Sequence, residues 1–287
     1  MTVANDPAAP RRMLMAELRA ARGVARLTRE TAAKRLDWSL SKLVRIETGD
    51  QGVSVTDLQA MLRLYDVTDE QRIDELTLLA RGTRAHSWWT GYRENISRQF
   101  GQYLGLEDSA SRIQAFHPLL VPALLHTNDY AFELLRVRKS EKDAKALVEL
   151  RTRRQERLLG RPEPPRMEFI FGEEALIRPI GGPEVMERQL RRLLELAVLP
   201  SVSIRIVPLS VGAHPGLSGS FILLSLKETA EELLFLEGAG SDLVSRDDPE
   251  VIGPFVGHFT TLTSLALSEN DTAALIRRWL RKLKQQM

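Results

Sequence analysis

There is no cysteine among the 287 residues. That absence excludes disulfides, thiolate nucleophiles, iron–sulfur clusters and cysteine-ligated zinc, and it suits a reducing compartment. No apolar run approaches the roughly 18 residues of a membrane span. The opening MTVANDPAAPRR lacks the apolar core of a secretion signal. Residues 1–10 therefore read as a short disordered lead-in, and the chain is expected to be a soluble cytoplasmic protein. Catalytic patterns are missing as well. The five histidines, His86, His117, His126, His214 and His258, show no helical pairing with another His or with Glu, so the metalloprotease spacing is absent and no metal is expected. GLSGS at 216–220 ends in Ser where a serine-hydrolase elbow needs Gly. No Gly-x4-Gly-Lys loop occurs, and Gly238-Ala239-Gly240 lacks the third glycine of a dinucleotide fingerprint. Glu173 and Glu174 are adjacent and would point apart on a helix. These absences lead to the expectation that the chain is not an enzyme and takes no cofactor.

What is present is ordinary globular material, 43% hydrophobic and 27% charged, enough for about two domains. The net charge of +2 conceals its distribution. Residues 11–47 carry ten Lys or Arg against four acids, and residues 48–84 carry four Arg against seven acids. Such polarity fits polyanion binding and equally fits two solvated helix faces. A second basic stretch, residues 136–166, holds eleven cations against five acids and reads mostly as a solvated helix. Between them, Trp88, Trp89, Tyr92, Phe100 and Tyr103 make 86–106 rich in aromatics. Trp88 and Tyr92 are spaced for one helical face, which fits a packing bridge between domains better than a ligand cage.

The first 84 residues read as five short helices. Leu14, Leu18 and Ala21 share a face, and Gly23 can end that helix. Thr28 caps a second helix that turns Ala32, Ala33 and Leu36 inward. Asp37 stands where a left-handed residue lets the chain turn. Ser39 caps a third helix with Leu43 and Ile46 inside, closed by Gly49. Ser54 and Thr68 head capping-box patterns for the fourth and fifth. Further on, strands are expected at the start of 113–125, at 167–171, 202–207, 220–226 and 233–237, with a hairpin turn at 227–232. Helices are expected near 127–138, from Pro183, at 249–265 and at 268–284. The breaker cluster at 161–165 reads as a linker. Strands among helices argue α+β for this half.

The run TRETAAKRLDWSLSKLVRIETG at 28–49 is thus helix, tight turn, helix. The outer side of its second helix offers Leu40, Ser41, Lys42, Val44 and Arg45, short or cationic side chains that suit a major groove about 12 Å wide. SKLVRIETG at 41–49 resembles the recognition helix of XRE-type, lambda-repressor-like regulators. The resemblance implies base readout by Ser39, Leu40, Ser41, Val44 and Arg45. It implies backbone contacts from Arg26, Thr28, Arg29 and Lys42, and an ion pair between Arg22 and Glu47. Asp37 replaces that family's turn Gly.

Further motifs extend the likeness: HPLLVPALLHTNDYA at 117–131, GGPEVMERQLRRLLELA at 181–197, GAHPGLSGSFILL at 212–224 and LFLEG at 234–238. They resemble the actinobacterial WhiJ-like, antitoxin-like subfamily, whose members often sit beside a gene for a small partner protein. Ala123 and His126 stand where that subfamily has Gly and Gln. The implied fold is mainly α with an α+β second domain. A lead-in (1–10) precedes a five-helix DNA-binding domain (11–84), an aromatic-rich connector (85–109) and a regulatory domain (110–287). The implied function is a sequence-specific transcription regulator that binds double-stranded DNA as a homodimer. Its second domain would be modulated by a small partner protein or ligand, with His126, His214 and Ser218 as candidate contacts. Two alternatives stand beside this: a second domain that is chiefly an interaction or dimerisation module, or an enzyme carrying a DNA-binding head.

Overall fold

The computed structural model describes residues 8–48, 51–82, 87–226, 232–236, 243–246 and 248–286. Gly49, His86, the hairpin turn at 227–231, Gly238-Ala239-Gly240 and residues 1–7 of the lead-in lie outside them. The chain forms two compact units, Met1–Thr90 and Gly91–Met287. Among the described residues no single helix is long and apolar enough to cross a membrane.

The first unit holds α1 (Ala8–Val24), α2 (Arg29–Arg35), α3 (Leu40–Glu47), α4 (Val55–Leu64) and α5 (Glu70–Gly82). Residues 8–10, read as lead-in, are helical, with Pro10 near the start of α1 where its missing N–H costs little. The expected inner residues are buried: Leu14 and Leu18 from α1, Ala32 and Ala33 from α2, Leu43 and Ile46 from α3. The small Ala33 lets α2 and α3 approach. Thr28, Ser39 and Ser54 each accept the predicted capping hydrogen bond, from the backbone N of Thr31, Lys42 and Asp57. The fifth cap differs by one residue. Asp69, not Thr68, accepts from Gln71 N and Arg72 N, because a carboxylate also complements the helix N-terminus.

A 3₁₀ turn at Thr90–Tyr92 spans the boundary, and the second unit continues with α6 (Arg98–Glu107), β1 (Ala110–His117), a 3₁₀ turn at Ala123–Leu125, α7 (Asn128–Leu135), α8 (Glu141–Leu159), β2 (Arg166–Gly172), α9 (Glu174–Ile177), α10 (Pro183–Leu196) and β3 (Val202–Val207). Two 3₁₀ turns, Leu209–Val211 and Pro215–Ser218, lead to β4 (Phe221–Leu226), β5 (Glu232–Leu236), β6 (Leu243–Arg246), α11 (Pro249–Leu265) and α12 (Glu269–Gln286). The six strands form one mixed sheet in the order β3-β2-β1-β4-β5-β6. β1, β2 and β3 run parallel through helical crossovers, β4 pairs antiparallel with β1, and β5 and β6 continue as an antiparallel meander. Alternation along the strands feeds two layers. Phe116, Ile170, Phe221, Leu223 and Leu234 pack under Phe259 and Leu262 of α11. On the other face, Phe235 stacks on Tyr103 of α6 at 4.2 Å.

Three expectations are corrected. Trp88 and Tyr92 do not share a helical face, since Trp88 lies in a turn and Tyr92 ends a 3₁₀ turn. Residues 161–165 join α8 to β2 within the second unit and link no domains. Residues 98–107, placed in a connector, are α6 and pack on the sheet. The basic stretch at 136–166 is mostly exposed, as expected, but four of its eleven cations, Arg151, Arg154, Arg157 and Arg161, are not. Arg154, 5% exposed, bonds both oxygens of Glu107 at 2.9 and 2.7 Å, and the Tyr103 hydroxyl donates to the same carboxylate. Arg157 and Arg161 both engage Asp108.

Asp37 turns the chain between α2 and α3 at φ +56°, as its position requires. Asp37→Val should destabilise the first unit by about 1–2 kcal/mol, the cost of the left-handed region for a side chain that cannot bond locally. Asp37→Gly should stay within ~0.5 kcal/mol, because relief of strain offsets the added freedom of the unfolded chain. Thermal unfolding of the two variants checks both.

Candidate nucleic-acid interface

α3 is eight residues long and two-faced. Leu43, Ile46 and Glu47 are buried, while Ser39, Leu40, Ser41 and Arg45 are exposed and Val44 is half-exposed. Positions 40, 41, 44 and 45 fall on one side of the helix. They form a short ridge of two aliphatic tips, one hydroxyl and one guanidinium. Arg45 Nε donates to the carbonyl of Ser41, one turn back, at 3.3 Å. The Ser39 hydroxyl is partly committed, since it caps α3.

The ridge is held from beneath by Glu47, which is 0% exposed. Arg22 donates to both of its oxygens, Nε at 2.6 Å and Nη2 at 3.1 Å. Arg29 adds a third bond, Nε to Oε2 at 2.8 Å. The Arg22–Glu47 pair is the one implied by the resemblance. The third partner, Arg29, was expected at DNA phosphate instead. Its side chain is 42% exposed, so one edge is fixed on the protein and the rest meets solvent. Hydrogen bonding to Glu47 raises the Arg22 guanidinium above its ordinary pKa, against the opposing effect of burial. Burial and the Glu47 charge push the nearby Tyr65 phenol up to about 12.

The other expected backbone contacts are distributed unevenly. Arg26 is exposed at the α1–α2 connection with φ +53°. Thr28 is exposed, and its hydroxyl caps α2. Lys42 lies 3.8 Å over the Trp38 ring, and its ammonium meets Asp57 at 2.9 Å. Both members of that ion pair are about a quarter exposed (28% and 26%). Exposed pairs contribute only ~0–1 kcal/mol, so phosphate can displace Asp57 at little cost. Nothing in the sequence links Lys42 to a carboxylate fifteen positions away on another helix.

In the second unit, the structure does not bring His126, His214 and Ser218 together. His126 is buried: its Nε2 lies 2.6 Å from the Val121 carbonyl and its Nδ1 is 2.7 Å from Arg151 Nη1. A carbonyl only accepts, so Nε2 carries the proton and Nδ1 accepts from Arg151. Burial, with the Arg151 charge second, holds the imidazole well below its ordinary pKa, and it is neutral. His214 sits edge-on against Phe116, on the sheet face that α11 covers, and Ser218 is exposed beyond it. The loop around His126 is pinned by a residue that sequence reasoning missed. Gln189, fully buried on α10, donates to Leu125 O and accepts from Thr127 N, both at 2.8 Å. A polar residue inside an apolar helical stripe was its only signal. Among the described residues no cluster of His, Cys, Asp or Glu could hold a metal.

A family model described as a helix-turn-helix domain matches residues 14–76, which run from within α1 to the middle of α5. A second, described as "Domain of unknown function (DUF5753)", matches residues 100–278. The chain belongs to the DUF5753 family. In this DUF5753 protein the matched region runs from α6 into α12 and so takes in the whole sheet. Neither the curated proteins nor the solved structures give a match.

Two outcomes follow from this geometry. Glu47→Ala strands Arg22 and Arg29 at once and should cost about 3–5 kcal/mol, the range for breaking a buried ion pair, seen as a lower denaturant midpoint of the first unit. For His126, the folded pKa lies below the unfolded value near 6.5. The unfolded chain then binds the extra proton first, so stability is intact above about pH 6.5 and falls as pH drops below it. Denaturant titrations at pH 7.5 and 5, values that bracket this range of about 6.5, should show the loss in the native chain and a smaller one in His126→Gln.

Proposed function

We propose that this protein is a sequence-specific DNA-binding transcription regulator of the XRE, lambda-repressor-like type. The observation that carries the reading is the exposed ridge of α3, Leu40, Ser41, Val44 and Arg45, on a helix anchored by the buried Glu47. The ridge enters the major groove. Arg45 takes guanine, a pairing that gives about 1–3 kcal/mol of discrimination. Leu40 and Val44 meet thymine methyl groups, and Ser39 and Ser41 supply short hydroxyls. Arg26, Thr28, Arg29 and Lys42 grip phosphate. Of these, Lys42 exchanges Asp57 for the backbone, and Arg29 contacts it without leaving Glu47. Two copies of the chain read half-sites one helical turn apart, roughly 34 Å between centres. Such a regulator acts in the cytoplasm, with the chromosome.

The motifs around 117–131 and 181–197 support placing the chain with WhiJ-like, antitoxin-like regulators. In that reading the DUF5753 unit is non-catalytic. It receives a small co-encoded partner protein or ligand and changes operator affinity.

Selection from a random duplex pool, followed by footprinting on the upstream regions it identifies, tests the reading. Arg45→Ala should relax preference at one base position. Lys42→Ala should weaken every sequence alike and lower the salt slope by about 1. Arg29→Ala should do the same and also reduce stability, because it removes a bond to Glu47. Equal affinity for selected and scrambled duplexes at ~150 mM salt, where specific sites stand out by orders of magnitude, would falsify the proposal.

A further inference from the structure

The last helix, α12, ends in a run of cations with no Asp or Glu among them. Several exposed cations elsewhere in the unit are matched one turn away: Lys145 with Glu141 and Arg153 with Glu149 on α8, Arg191 with Glu187 and Arg192 with Glu195 on α10. On α12 the acids stop at Asp271, and none occurs in the sixteen residues that follow. Arg277, Arg278, Arg281, Lys282 and Lys284 come after it, all exposed. Their neighbours at helical spacing are each other. The pairs 277/281 and 278/282 are i,i+4, and 278/281 and 281/284 are i,i+3. Like charges at these spacings destabilise a helix by about 0.2–0.5 kcal/mol each.

Among the described residues nothing offsets this fully. Arg278 is 3.9 Å from Glu173, the outer limit of an ion pair. Lys282 lies 4.3 Å from the Trp279 ring. Glu187 on α10 feels Lys284, but its carboxylate is bonded to Arg191. The helix dipole favours cations only within the last turn, which holds Lys284 and not the four others. Thr272, Leu275, Ile276 and Leu283 are buried, so α12 is anchored and shows its cationic side to solvent. Arg277, Arg281 and Lys284 form one stripe, about 10 Å long at 1.5 Å per residue. Measured along the duplex axis, that length takes in roughly three phosphates of one strand, at about 3.4 Å of rise each.

We infer that the exposed cationic stripe of α12 is a second nucleic-acid contact, which binds duplex phosphate without regard to sequence. The inference rests on the reading of this chain as a DNA-binding protein and adds a surface in the DUF5753 unit that the helix-turn-helix domain does not supply. Charge complementarity selects the occupant. The stripe has no aromatic platform beyond Trp279, already under Lys282, on which an unpaired base could stack.

The test is the salt dependence of binding of the full chain to a scrambled duplex, between about 50 and 200 mM salt. The variant R277Q/R281Q/K284Q should lose affinity for every sequence, and its log–log slope should fall by about 2.7, at ~0.9 per phosphate contact. R277K/R281K should keep the slope, because phosphate sees the charge and not the guanidinium fork. These positions are exposed, so a thermal midpoint that does not fall will show that the variants fold. An unchanged slope in the glutamine variant overturns the inference, as does a stripe that binds phosphatidylserine vesicles but leaves the slope for DNA intact. The two readings fail separately. Loss of operator preference with the α12 slope effect intact sinks only the sequence-specific reading. Operator preference that survives with no α12 effect sinks only this one, and no binding to any duplex sinks both.

Discussion

The position of α3 depends on one buried carboxylate. A helix of eight residues is far below the ~12–15 needed for marginal stability alone, so its axis is set by what it touches. Leu43 and Ile46 supply apolar contact, which is not directional. Glu47 supplies direction. Its two oxygens take three charge-assisted hydrogen bonds, two from α1 and one from α2, and such bonds are short and orientation-dependent. Burying the charge costs several kcal/mol, which only this full set of donors offsets. The same bonds that hold the carboxylate therefore fix how far the Arg45 side of α3 stands out from the unit.

That arrangement also explains where the sequence was legible. Caps and periodicity are local, and they placed α1 to α4 and the turn at Asp37 from neighbouring residues alone. The Arg22–Glu47 pair came from family likeness, because no local rule connects positions 25 apart. Arg29 and Lys42 show the limit of assigning roles by residue type. Both are cations on the expected side, and the fold gives each an acid. The acids differ in burial, and burial decides how firmly each pair is held: Asp57 is reached by solvent and Glu47 is not.

In the second unit the strands were legible from their alternation, β3 to the residue, while β6 and the extents of α6 and α8 were not. β6 is four residues long and sits beside glycine-rich sequence. α8 has a polar composition that disguises its buried stripe of Ala144, Leu150, Arg154 and Leu158. An arginine on a core stripe is invisible to periodicity, since its partner Glu107 lies 47 positions away. His126 was singled out for its chemistry, yet its place in the fold is structural. It passes a hydrogen-bond chain from the Val121 carbonyl to Arg151, in the loop that Gln189 latches from the other side.

Counting charge along the sequence ranks residues 136–166 as the most basic part of the second half. Pairing reverses that rank. Most of those cations are spent on acids or on His126, several of them inside the unit, and their presence says more about how α6 and α8 hold together than about any partner. The end of α12 has fewer cations and almost no acids in contact with them. An ion pair is electrically quiet beyond a Debye length of ~8 Å at physiological salt, whereas like charges crowded on one helix add their fields. The field at this end of the second unit is therefore governed by the lack of Asp and Glu after Asp271, a feature of composition that becomes meaningful only once the buried face of the helix is known.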